Sequence, residues 1–143
     1  MRTKTAALFL AWLAILVAGC SHVSTRKAPG AALGTHKKVF VEHRLADGRN
    51  LDEIMARELR ALGYDASAGP LTMMPGDAEV IVAYEDMWQW DFNNYLLELD
   101  VSVRNSRNDK LLATAHVFRP SNVFGTPPEK MIDDVLRSLF PPR

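Results

Sequence analysis

An α+β fold, with a mixed and mainly antiparallel sheet of four to five strands carrying two helices on one face, is predicted by three features of the sequence. Two segments repeat apolar residues at the helical period. Several others repeat them at the strand period, in the order strand, helix, short strand, strand, strand, strand, helix. Each helix has a single apolar stripe and at least one strand has a single apolar face, so one shared layer of side chains between helices and sheet satisfies all of them.

Lys38 to His43, KVFVEH, is a β-branched and aromatic run that reads as the first strand. After the Asp47-Gly48 turn, Asn50 is placed to cap a helix and Glu53 to reach back to the cap amide. Leu51, Ile54, Met55, Leu59 and Leu62 then share one helical face, and Gly63 supplies a left-handed stop. Tyr64 to Ala68 reads as a short strand, followed by a loop broken at Gly69-Pro70 and Pro75-Gly76. Glu79 to Tyr84 has apolar residues on both sides and therefore reads as a central strand.

In Tyr95 to Arg104, Tyr95, Leu97, Leu99, Val101 and Val103 are predicted to face one way and Glu98, Asp100, Ser102 and Arg104 the other. Asn105 to Lys110 is a polar turn, and Leu111 to Phe118 returns as the hairpin partner. Thr126-Pro127-Pro128-Glu129 opens a last helix with a capping residue, prolines and a carboxylate; Met131, Ile132, Val135, Leu136, Leu139 and Phe140 form its stripe. A parallel strand-helix-strand crossover followed by an antiparallel meander is the simplest connection.

The first residues carry a different signal. Arg2 and Lys4 precede an unbroken apolar run from Ala6 to Ala18, too short for the ~20 residues of a membrane-spanning helix and within the range of a secretory leader. The only cysteine, Cys20, stands directly behind that run and so has no internal disulfide partner. Leu16-Val17-Ala18-Gly19-Cys20 resembles a bacterial lipobox. The resemblance implies cleavage before Cys20, a diacylglyceryl group on its sulfur and an acylated amine; Ser21, where an aspartate would signal inner-membrane retention, implies the outer membrane. Two or more acyl chains, each contributing about 0.8 kcal/mol per buried methylene, anchor a protein stably where one does so marginally.

The expected division is 1–19 as leader, 20–36 as lipidated cysteine and flexible tether, and 37–143 as one α+β domain. The stretch SHVSTRKAPGAALGT shows neither period and reads as the tether. Without the leader, 143 − 19 = 124 residues remain, which suits one core. Their charge balance is 17 − 2 = 15 basic against 17 acidic residues, which offers nothing to attract nucleic acid. In layout the chain also resembles small bacterial envelope lipoproteins of unknown function that assist transport or outer-membrane assembly.

Chemistry-bearing patterns are sparse. His22, His36, His43 and His116 form no H-x-x-x-H or E-x-x-H pair, so no metal site is expected. Nucleophile-elbow and phosphate-loop motifs are missing, and the acidic pairs Glu85-Asp86 and Asp133-Asp134 point their neighbours apart; neither catalytic residues nor cofactors are expected.

The segment MWQWDFNNY, Met87 to Tyr95, is the exception. Read as a connection between strands, it offers Trp88, Trp90, Phe92 and Tyr95 either as a cap on the core or as a partner-binding edge, since exposed aromatics concentrate at interfaces. The expected function is a non-enzymatic accessory or interaction module in envelope assembly or transport. It is anchored to the outer membrane on its periplasmic face through lipid on Cys20 and contacts an envelope protein. The alternative is a lipid- or small-amphiphile-binding module whose pocket is lined by Met73, Met74, Trp88 and Phe118.

Overall fold

The computed structural model describes residues 22–120 and 126–143. The leader, Cys20 and Ser21 lie outside the described residues, as does the stretch 121–125. The fold is α+β: two helices and a mixed six-stranded sheet. In chain order the elements are β1 (His22–Lys27), β2 (Lys38–Glu42), α1 (Leu51–Ala61), β3 (Asp65–Gly69), β4 (Val80–Asp91), β5 (Asn93–Asn105), β6 (Leu111–Phe118) and α2 (Pro128–Leu139). The sheet order is β1-β6-β5-β4-β2-β3.

β2 pairs in parallel with both β3 and β4, as a strand-helix-strand unit requires, and β4, β5 and β6 follow as an antiparallel meander. β4 is central, with β5 on one side and β2 on the other; Val80, Val82 and Tyr84 join the main core, while Ile81 is buried on the opposite face. α1 packs on β2 and β3, α2 on β6, β1 and β5, and the helices touch each other. They therefore share one face of the sheet. The stripe Met131, Ile132, Val135, Leu136, Leu139 and Phe140 is fully buried there, together with Met55 and Leu59 of α1.

Three expectations need correction. The tether is not slack throughout: His22–Lys27 forms edge strand β1, antiparallel to β6, and this raises the strand number to six. The segment turns one face to the core through Val23, bonds α2 through Thr25 Oγ1 to Ser138 Oγ at 2.9 Å, and buries Leu33 further on. Without it β6 would present an open row of amides and carbonyls.

Second, the caps are not those expected. Asn50 adopts a left-handed φ of 56° and its side chain makes no cap bond; the Asp47 carboxylate caps α1 instead, accepting from the Leu51 amide at 2.6 Å. α2 starts from Pro127 with no side-chain cap, so Thr126 does not serve as one. Gly63, by contrast, ends α1 with φ 96° as expected.

Third, Met87–Asp91 is not a connection. β4 continues through it and meets β5 in a tight turn at Phe92. The register also shifts: Met87 faces Glu98 but Trp88 faces Leu96, leaving Leu97 as an extra residue. The bulge moves Leu96 onto the helix-covered face with Leu99, Val101 and Val103, and turns Tyr95 to the opposite face.

Candidate functional site

One transverse row of the sheet runs Met87, Glu98, Phe118, His22 across β4, β5, β6 and β1. β4 and β5 continue beyond this row as a two-stranded arm that carries its turn roughly 15 Å further, at ~3.4 Å per residue. Trp90 and Phe92 are 68% and 88% exposed on the arm, with ring centroids 6.3 Å apart. Phe92 holds a φ of 57°, a left-handed conformation that an aromatic residue seldom adopts.

The four predicted residues thus separate. Trp90 and Phe92 form an exposed pair at the end of the arm. Trp88 is half-buried at its root, donating from Nε1 to Asp86 Oδ2 at 2.7 Å, with the Arg49 guanidinium 3.9 Å above its ring. Arg44 donates to the other Asp86 oxygen at 2.7 Å, so the loop after β2 and the arm are joined through one carboxylate. Tyr95 is buried and lies on the other face from Trp88, so it does not join the group.

The proposed pocket residues do not converge either. Met73 follows β3 at one edge of the sheet and Phe118 ends β6, with β2, β4 and β5 between them, so they stand about 19 Å apart at ~4.8 Å per strand.

Beside the arm, the fold assembles a polar node that no sequence motif announced. Asp47, 8% exposed, accepts from the amides of Arg49 at 2.7 Å and Leu51 at 2.6 Å and from the Tyr84 hydroxyl at 2.7 Å. Burial alone would raise the Asp47 carboxyl, but these donors outweigh it and hold the group below the ordinary carboxylate range. Burial, reinforced by the carboxylate it faces, pushes the Tyr84 hydroxyl well above its ordinary value. Next to them, His43 Nδ1 lies 3.0 Å from Asp52 Oδ2, while Asp52 Oδ1 is buried with no hydrogen-bond partner.

His43, Asp47 and Asp52 could together offer three donor atoms to a cation, all within 4.8 Å of one another. The Asp47 oxygens, however, already serve the helix cap and Tyr84, which makes its role structural. A second group, Glu98, Asp100 and His116, lies on the face away from the helices; its members are half-buried to exposed and His116 Nδ1 is 2.9 Å from Asp100 Oδ1. It borders shallow depressions of about 270 and 340 Å³ lined by Ser24, Asp100, Ser102 and Thr114. These are solvated ion pairs of modest energy.

No family model and no curated protein matches the chain. Solved structures do. The PelC dodecamer from Paraburkholderia phytofirmans is similar at TM-score 0.62 and 18% identity, over 85% of this chain and 100% of that one. A point variant of that dodecamer is similar at TM-score 0.61 and 19% identity, over 82% of this chain and 98% of that one. At this identity the likeness is one of fold.

Proposed function

We propose that this chain is a non-enzymatic lipoprotein anchored to the outer membrane on its periplasmic side, where its domain acts as an accessory or interaction module in envelope assembly or transport. The observation that carries the reading is Leu16-Val17-Ala18-Gly19-Cys20 followed by Ser21, placed behind a basic start and an apolar run of leader length. Two features support the interaction role. The arm presents Trp90 and Phe92 to the surroundings, and large exposed aromatics are characteristic of contact surfaces. The structural neighbours were solved as dodecamers, which favours a module that works in contact with further copies as well as with an envelope partner.

The pocket reading of the alternative loses its basis because Met73, Trp88 and Phe118 are spread across the sheet. Palmitate labelling in growing cells tests the anchor. Label is expected in the native chain and lost in Cys20→Ala; label retained in Cys20→Ala would sink the proposal.

A further inference from the structure

Where the chain enters the sheet matters for the arm. β1 and β5 run in the same direction, because each is antiparallel to β6, so the start of β1 and the turn of the β4–β5 arm lie at the same end of the sheet. His22 sits on the row from which the arm departs, and Cys20 is two residues earlier, hence within about 7 Å of His22 along the chain. The arm runs roughly 15 Å beyond that row toward the same side. A bilayer that holds Cys20 by its acyl chains is therefore within reach of Trp90 and Phe92, and β1 leaves too little slack for the sheet to turn that end away.

Apolar side chains collect at this end. Leu45 is 98% exposed on the loop after β2, and Met87 and Phe118 are 53% and 44% exposed on the departure row itself. Of the other large apolar side chains exposed among the described residues, Leu71 and Met73 follow β3 at the far edge of the sheet, and Leu111 lies at the far end, opposite Arg104. The arm's segment Trp88 to Asn94 carries a single charge, Asp91; at its root Arg44 is paired with Asp86 and Arg49 stacks on the Trp88 ring. Tryptophan beside amides and near arginines is the composition that settles at the boundary between headgroups and acyl chains.

We infer that the β4–β5 arm is a second, non-covalent membrane contact: Trp90 and Phe92 enter the interfacial layer of the bilayer that anchors Cys20. The occupant is a phospholipid surface, and the inference rests on the proposed lipidation. The covalent anchor holds the protein to the membrane; the arm fixes which way the domain faces. Phe92 forms the turn itself, between the paired Asp91 and Asn93, and its exposed ring is the part of the arm that meets lipid first.

The native chain provides its own reporter. Trp12 lies in the leader, so after cleavage the tryptophans are Trp88 and Trp90. The lipoprotein, expressed with its leader and reconstituted into phosphatidylethanolamine–phosphatidylglycerol vesicles, is compared with and without brominated acyl chains. In Trp88→Phe, the emission of Trp90 is expected to fall roughly two-fold or more in brominated vesicles, as for an interfacial tryptophan.

If Trp88→Phe disturbs the arm, Phe92→Trp provides the same readout without touching a buried group. Unquenched emission from a chain whose Cys20 mass shows the acyl chains would overturn the arm contact and leave the anchor standing. An unmodified Cys20 would overturn both. A photocrosslinker at position 92 that traps a protein in place of lipid assigns the arm to a protein partner and likewise overturns the inference.

Discussion

The stripe of α2 and the tip of the β4–β5 arm are built from similar side chains and meet opposite fates. Met131, Ile132, Val135, Leu136, Leu139 and Phe140 are fully buried, whereas Trp90 and Phe92 stand 68% and 88% exposed. The difference lies in what faces them. The stripe repeats at the helical period over a sheet whose inward residues, Val82, Leu99, Val101 and Val117, repeat at the strand period, so each side buries the other. The arm leaves the sheet before α1 or α2 can cover it; the last side chain of β4 to pack on the core is Trp88. Hydrophobicity alone does not decide burial; the continuation of the opposing layer does.

Five substitutions sharpen this contrast. The largest effect is expected from Ile132→Ala, which opens a cavity beneath α2 and should lower the unfolding free energy by about 2–5 kcal/mol in a denaturant titration. Asp47→Ala comes next, at about 1–3 kcal/mol, because it removes the α1 cap and strands the buried Tyr84 hydroxyl. The same residue has a pH signature. Its carboxyl is held below the ordinary value, so its contribution is fully present above about pH 4 and is lost as pH falls through the lower folded-state value. In Asp47→Asn, the acid limb of a stability-against-pH profile should flatten.

Phe92→Gly is expected to be neutral or to stabilise by up to about 1 kcal/mol, since glycine adopts a positive φ freely. Trp90→Ala should change stability by no more than about 0.5 kcal/mol, measured by the same titration. A loss of several kcal/mol at Trp90 would break the contrast by showing that the arm belongs to the core.

Much of the fold was legible because both helices have unambiguous stripes and the β5–β6 hairpin has a polar turn between alternating runs. The misreadings have local physical causes. β1 contains one inward apolar residue, Val23, and is held by backbone pairing to β6, which leaves almost no trace in a sequence. Tyr95-Leu96-Leu97 is apolar at every position, so the alternation carries no phase there, and only the bulge at Leu97 decides which side chain goes in.

Asp47 reads as half of an Asp-Gly turn; its service to the Leu51 amide depends on a left-handed Asn50 that brings the helix start back toward it. For the site, the aromatic cluster stood out in the sequence, but its division into a braced Trp88, a buried Tyr95 and an exposed Trp90–Phe92 pair needed the register. The polar node of His43, Asp47, Asp52 and Tyr84 comes from three separate segments and had no motif to give it away.

The pairing of β1 with β6 also sets an order of events. His22 lies opposite Phe118, so the first strand has nothing to zip onto until nearly the whole domain has been delivered. Pairings so distant along a chain form late. Under the proposed lipidation, a polypeptide threaded across a membrane from its leading end would keep the β1 segment unpaired while the cysteine is modified and the leader removed. Closure of β1 onto β6 would then join the finished domain to the proposed anchor.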